Sequence, residues 1–233
     1  MESGSITQKD KGFDLDNLMD MQVYIDWNDA TEINGVSING TSLSSTDYDV
    51  SGTDLTVYKE AIQDVNPTSG DTLDVEVTFD VGNDSFEINV VKTSELTNID
   101  LSSASASASS IETASDYTAD KAIDGDSNTR WASSDEFSPT EWIYVNLGSK
   151  KDITTLEIEW EAAAMNYSIL VSDDGSSWTE VKNETSHSQY NYSSGGSEIV
   201  TLPTTVNSQY IKIEASGSTG TAGVSIFELD LYQ

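Results

Sequence analysis

The residues of this chain best suited to chemistry lie in Lys121-Ala-Ile-Asp-Gly-Asp-Ser-Asn-Thr-Arg-Trp131, with Glu228 far downstream as a companion. Asp124 and Asp126 offer carboxylate oxygens. Gly125 lets the backbone turn sharply between them, and Thr129 can give both a carbonyl and a hydroxyl. That donor set suits a hard cation. Calcium takes roughly 6–8 oxygen ligands, many of them carbonyls, so the loop fits calcium better than magnesium or zinc. Asp-Gly-Asp is also an ordinary turn sequence, so the loop alone leaves a plain turn with solvated acids as the alternative.

Catalytic chemistry finds less support. His187 is the single histidine, and the serines around it sit in a low-complexity loop without a nucleophile-elbow pattern. Paired carboxylates could hydrolyse a glycoside. With 41 acidic residues, however, some pair always falls close. The absence of cysteine removes thiolate chemistry and any disulfide framework. The chain therefore reads as non-catalytic.

The acids also set the charge. Against 10 basic residues they give a formal −31. Nucleic acids and anionic lipid surfaces repel such a chain, which excludes both as expected partners. The acids are scattered rather than blocked, unlike a disordered acidic tail. Salt adaptation, the general acidity of secreted bacterial modules and attraction of cationic amino sugars all fit this balance. No apolar run approaches the ~18 residues of a membrane span. The opening Met1-Glu-Ser-Gly-Ser is polar and does not read as a signal peptide.

The elements that must position the loop are strands. A length of 233 residues suits two domains of about 100 each. Val, Ile, Thr and Tyr recur in short bursts between Gly, Asp, Asn and Ser turns, which predicts an all-β protein. In the first half, Val23, Ile25 and Trp27 alternate with polar neighbours. Asn39-Gly40 marks a hairpin. Leu73, Val75, Val77 and Phe79 alternate cleanly, as do Phe86, Ile88 and Val90. Some six strands at this spacing predict an immunoglobulin-like sandwich, with one helical turn in Val57–Val65. Trp27, Tyr24 and Tyr58 read first as residues packed on the sheet and second as an aromatic platform. Residues 94–101 read as a linker. The Ser/Ala alternation from about Ala104 reads as a first strand crowded by a core. The second half carries six apolar strand patterns between Trp142 and Tyr232, predicting a second sandwich of jelly-roll type.

Residues 6–93 resemble the X2 family of immunoglobulin-like modules found in polysaccharide-degrading proteins. The matching residues are Asn39-Gly40, Asp47-Tyr-Asp-Val-Ser-Gly52, Leu55-Thr-Val-Tyr-Lys-Glu60 and Gly70-Asp-Thr-Leu. The resemblance implies a spacer, a solubiliser or a weak polysaccharide binder.

Residues 102–233 resemble the discoidin, or coagulation-factor 5/8 type C, domain, whose bacterial version is the family 32 carbohydrate-binding module. The matches are Ala122–Trp131, Glu141-Trp-Ile-Tyr-Val-Asn-Leu-Gly148, Val171-Ser-Asp-Asp-Gly-Ser-Ser-Trp178, Tyr210-Ile-Lys-Ile and Phe227-Glu-Leu-Asp-Leu-Tyr. Ile158-Glu-Trp-Glu-Ala-Ala163 looks like a subgroup attached to glucanases and chitosanases. The resemblance implies a structural calcium held by carbonyls of Lys121, Thr129 and Phe227 and side chains of Asp124, Asp126, Thr129 and Glu228. It also implies that the loop after Trp131 carries sugar contacts. Following strand directions from there gathers Glu112, Asp135, Glu136, Glu161, Met165, His187, Tyr190 and Tyr192 at one end. The Glu161–Asn166 connection and the loops at 183–197 and 216–223 are expected at that end as well. Carboxylates accept hydrogen bonds from sugar hydroxyls and aromatic faces stack on pyranose rings, so Glu112, Asp135, Glu136, Glu161, Tyr190 and Tyr192 are the expected ligand contacts. Galactose-binding relatives carry a histidine and a tryptophan where Ala132 and Asp135 stand, so the expected ligand is a glucan or an amino sugar. The expected role is the carbohydrate-binding region of a secreted, extracellular polysaccharide-active enzyme whose catalytic domain lies elsewhere in the parent chain. Stalk modules of a cell-surface adhesin are the alternative.

Overall fold

The structure is a computed structural model. It describes residues 1–112, 116–134, 140–185, 197–218 and 223–233. The chain folds as two compact units, Met1–Glu95 and Leu96–Gln233.

The first unit is a sandwich of two sheets. Its strands are β1 (Ser5–Ile6), β2 (Asp10–Asp14), β3 (Met21–Asp26), β4 (Ile33–Ile38), β5 (Thr41–Ser42), β6 (Tyr48–Ser51), β7 (Asp54–Val57), β8 (Thr72–Phe79) and β9 (Asn83–Val91), with one helix, α1 (Lys59–Asp64). One sheet has the order β1-β3-β7-β6 and the other β2-β9-β8-β4-β5. Period-2 alternation builds the core. In β8, Leu73, Val75, Val77 and Phe79 are buried while the residues between them are exposed. The hairpin at Asn39-Gly40 forms with positive φ at both residues, 49° and 76°. Trp27 packs edge-on against Phe79 at 6.1 Å and donates its indole N–H to the Gly52 carbonyl.

The second unit contains β10 (Ser105–Ala108), β11 (Trp131–Ala132), β12 (Glu141–Ala162), β13 (Ala164–Ser172), β14 (Thr179–Thr185), β15 (Glu198–Ser218) and β16 (Ser225–Tyr232). The sheet order is β11-β16-β12-β15-β13-β14, and β10 pairs with β12. Two features differ from the sequence expectation. Trp142–Leu147 and Ile153–Trp160 are not separate strands but one strand of 22 residues, paired along its length with a 21-residue β15. Both turn a corner together where the register shifts between Asn146 and Lys151, at a left-handed Gly148 (φ 73°). In addition, Glu161–Asn166 is not a loop. Only Ala163 separates β12 from β13, and Ala163 and Ala164 are fully buried. Their small side chains let the chain reverse against the core without a longer connection.

Trp131, Trp160 and Tyr167 are the largest fully buried side chains of this unit, Trp160 and Tyr167 with ring centroids 5.5 Å apart, and Ile143, Val145, Leu156, Ile158, Ile213 and Ile226 are buried with them. The outer face carries Trp142, Tyr144, Trp178 and Tyr210 in mutual ring contact, with the Lys212 ammonium 4.7 Å over Trp178. Residues 97–99 bond to the last strand: Thr97 and Gln233 exchange backbone hydrogen bonds, and Ile99 N–H donates to the Leu231 carbonyl.

Candidate functional site

The acidic loop is shaped by its own hydrogen bonds. The Thr129 hydroxyl donates toward Asp124, whose two carboxylate oxygens each lie 3.0 Å away, and it stands 3.5 Å from the Lys121 carbonyl and 3.0 Å from that of Asp126. Asp124 Oδ1 accepts from Asp126 N–H, and Lys121 Nζ lies 3.0 Å from Oδ2. Burial opposes ionisation of Asp124, but the Lys121, Thr129 and Asp126 donors outweigh it and hold its carboxyl below the usual range. Gly125 turns the chain at φ 76°. Asp126 Oδ1 accepts from Asn128 N–H and from Asn128 Nδ2, so this carboxylate serves its own turn.

Strand register brings the distant partner in. β11 pairs with β16, Trp131 opposite Ile226 and Ala132 opposite Ser225, which sets Phe227 and Glu228 beside the loop. Glu228 Oε1 accepts the Gly125 N–H at 3.2 Å. Its Oε2 is buried without a hydrogen-bond partner. Burial, opposed by the Gly125 donor but reinforced by Asp230, Asp124 and Glu159, pushes its carboxyl up to about 7. Like charges face each other across the same strand pair, Glu159 opposite Glu228 and Glu157 opposite Asp230. Such pairs destabilise a sheet unless something neutralises them. Among the described residues, no three acidic or histidine side chains converge as a cation site. The oxygens within reach of the loop centre come instead from Asp124, the Thr129 hydroxyl, backbone carbonyls and Glu228. A mixed set of carbonyls with few carboxylates, together with an orphaned carboxylate oxygen, is the chemistry calcium accepts.

A second arrangement lies beyond the loop, around Arg130. Glu112 and Glu161, expected as ligand contacts, both face this guanidinium. Arg130 Nη2 lies 4.0 Å from Glu112 Oε2 and Nε lies 3.7 Å from Glu161 Oε2. All three side chains are 24–31 % exposed, so a ligand can reach them. The guanidinium rests 4.1 Å over the Tyr117 ring. Glu112 is held by its N–H to the Ala132 carbonyl, and Glu161 Oε2 accepts from Ser225 Oγ. Behind them, Trp131 Nε1 donates to the Ser110 carbonyl, and the hydroxyls of Ser109 and Ser110 donate to buried Glu141. Ser134 N–H donates to Ser110 Oγ, and Gly223 fits closely against Ser133 and Ser134. The flanks of 135–139 and 219–222 thus meet near Glu112. Asp135, Glu136, His187, Tyr190 and Tyr192 lie outside the described residues. Met165 is exposed on β13. The sequence reading did not assign Arg130, Tyr117 or Ser225 a part here. The one available signal was that Arg130 is the chain's only arginine.

Residues 103–229 match the model of the F5/8 type C domain, and residues 6–90 match that of carbohydrate binding domain X2. Among solved structures, a variant of chitosan-binding module 1 from a chitosanase/glucanase of Paenibacillus sp. IK-5 is 35 % identical, with a TM-score of 0.51 over 59 % of this chain and 99 % of that one. The family 32 carbohydrate-binding module of C. perfringens NanJ, solved with galactose, is 27 % identical, with a TM-score of 0.51 over 59 % of this chain and 98 % of that one. A polysaccharide lyase 8 family protein, HylA, of Enterococcus faecalis is 37 % identical over 68 residues. That match covers 29 % of this chain and only 5 % of the lyase. These families and neighbours are binding modules without catalytic machinery, and the chain is a carbohydrate-binding region rather than an enzyme. By the match across most of its second unit, the chain belongs to the F5/8 type C domain family, with a region matching the X2 model ahead of that domain.

Proposed function

We propose that this chain binds a β-linked amino-sugar polymer of the chitosan type through Glu112 and Glu161, on behalf of a secreted polysaccharide-active enzyme. The observation that carries this reading is the pair of accessible carboxylates gathered around Arg130 from positions far apart in sequence. Carboxylates recognise ammonium and hydroxyl groups through charge-assisted hydrogen bonds. The formal charge of −31 attracts a cationic polymer and repels acidic ones. The similarity to a chitosan-binding module supports the same class. Ala132, buried in β11, offers no ring for a galactose contact of the usual kind. Asp135, Glu136, Tyr190 and Tyr192 complete the proposed contact set. A calcium held by Lys121, Asp124, Thr129, Phe227 and Glu228 has a structural role in this reading, locking the loop to the last strand; Asp126, expected to add its carboxylate, caps its own turn with it and offers the site its backbone carbonyl instead. The module would raise the enzyme's local concentration on its substrate without adding chemistry.

Affinity electrophoresis in soluble chitosan, with hydroxyethyl cellulose and galactan gels as comparisons, tests this. Retardation is expected in chitosan and is expected to fall when both glutamates become glutamine (E112Q/E161Q). A folded chain that migrates unretarded through chitosan would sink the reading.

A further inference from the structure

The first unit carries a groove of about 510 Å³, an ordinary size for a ligand site. Its floor is β4 and β8, with Asn34 on one strand and Glu76 and Thr78 on the other. Its wall is the connection 43–47, which takes the chain from β5 in one sheet to β6 in the other and brings Ser45 and Tyr48 to the groove. That wall is firmly built. The Ser44 N–H and hydroxyl both donate to Asp47 Oδ2 at 2.7 Å, and Asp47 N–H donates back to the Ser44 carbonyl at 3.0 Å. Tyr58 N–H holds the Asp47 carbonyl at 3.0 Å, and Leu43 and Tyr48 pack on the core. Ser44 and Asp47 are thus committed to the turn. The side chains of Asn34, Ser42 and Ser45 and the Tyr48 hydroxyl, by contrast, have no protein hydrogen-bond partner among the described residues. Gly35 lies in the floor, where β4 shifts register against β8. A Cβ there would meet nothing within 4 Å, and its φ is not left-handed, so neither crowding nor backbone conformation requires a glycine. A glycine inside a strand often marks the close approach of a ligand.

We propose that this groove is a separate glycan site in the first unit, taking a short stretch of amino-sugar polymer over Gly35 and against the 43–47 wall. The class of ligand rests on the reading of the chain as an amino-sugar binder, and the groove's own chemistry agrees with it. Uncommitted hydroxyls and an amide suit the hydroxyls of a pyranose chain, and the Tyr48 ring offers an apolar surface beside them. Glu76 is the one charged residue that lines the groove, and its contact, Asn83 Nδ2 at 3.2 Å, is neutral. Its carboxylate is therefore open to an ammonium group. A uronic acid would face that carboxylate with no base in the lining to offset it. An added peptide strand fits less well. β5 pairs with β4 at Ser37 and Ile38, and Leu43 N–H takes the Val36 carbonyl, so only the short stretch about the bulge is left as an edge.

Amide chemical shifts of the isotope-labelled full chain, followed during titration with a glucosamine hexamer at about 0.15 M salt to screen diffuse attraction, test the site residue by residue. The amides of Gly35, Ser42 and Ser45 should move. They should move equally in E112Q/E161Q, which removes the charges of the site proposed in the second unit. Gly35→Val puts a branched side chain into open space and should weaken the affinity read at Ser42 and Ser45 about tenfold or more, while shifts in the second unit persist. E76Q, a change at an exposed residue, should weaken it about fivefold, the worth of one charge on a hydrogen bond. Groove amides that stay still while those around Glu161 respond overturn the proposal and leave the second unit's site intact. Groove shifts that vanish in E112Q/E161Q, or unchanged affinity in folded G35V, overturn it as well. If G35V does not fold, E76Q decides, and unchanged affinity there overturns it. A chain that responds nowhere removes the amino-sugar reading and this proposal with it.

Discussion

Gly125 donates its backbone N–H to Glu228 across 103 positions of sequence, so one carboxylate ties the acidic loop to the final strand. The other oxygen of that carboxylate is buried and unused, and three further acids bear on it. A proton on that carboxylate or a cation beside it would relieve the crowding. If calcium is that cation, calcium should raise the melting temperature of the chain and a chelator should lower it. At a calcium concentration of about 100 times Kd the gain is about 2.7 kcal/mol. E228Q and D124N should each abolish most of the calcium response. Melts that do not change on calcium addition would remove the ion from the account.

The same carboxylate sets a pH dependence in the metal-free chain. Its carboxyl titrates at about 7 when folded, against 4.5 as the reference value. Between these values the folded state holds the proton more tightly, so this group's contribution to stability falls as pH rises from about 4.5 to about 7. Urea unfolding in a chelator at about pH 5 and about pH 8 should show the loss, and E228Q should flatten it. Calcium needs the ionised form, so its affinity should rise over the same window. The acid limb lies lower and has the opposite sign. Asp174, held well below its usual range by the Ser177 and Ser176 N–H groups, contributes fully above the ordinary aspartate range and loses that contribution progressively as pH falls below it.

Trp160 donates its indole N–H to Glu198 at 2.7 Å, and both are buried. Trp160→Phe keeps an aromatic ring but removes that donor from a carboxylate that water does not reach. A cost of about 1–3 kcal/mol is expected in urea unfolding. A loss below about 0.5 kcal/mol would mean that Glu198's remaining partners satisfy it.

Gly223 has no room for a side chain. A Cβ there would stand 2.0 Å from Ser133 Oγ and 2.7 Å from the Ser134 carbonyl oxygen. The second contact is backbone and cannot rotate away, so Gly223→Ala must shift the segment that leads from Trp131 toward Asp135. Binding to chitosan should weaken with only a modest change in melting temperature. Unaltered retardation in an affinity gel would show that this segment's placement does not matter to the ligand.

Much of the fold was legible because alternation is a local property. Leu73-Asp-Val-Glu-Val-Thr-Phe79 declares which side faces the core without reference to anything distant. The helical turn at Lys59–Asp64 and the hairpin at Asn39-Gly40 are local in the same way. The joining of Trp142–Leu147 to Ile153–Trp160 was not legible. Gly148-Ser-Lys-Lys reads as a turn, and the strand continues past it because pairing with β15 resumes at Lys151 beyond the corner. The site divides along the same line. The loop with Glu228 could be proposed from family likeness. The meeting of Glu112, Arg130 and Glu161 depends on tertiary contacts, Glu112 N–H on the Ala132 carbonyl and Ala162 opposite Ser225, that no short pattern encodes.

The exchange of hydrogen bonds between Thr97 and Gln233 has a mechanical meaning. Residues 97–99 and 231–233 of the second unit lie side by side as an antiparallel seam, so a pull on the two ends of this unit loads that seam first. Force along the polypeptide would peel residues 97–99 from 231–233 one bond at a time. The interior strands would be spared until that seam had opened. The seam of the second unit is thus its mechanical weak point, and its sandwich core is shielded behind it.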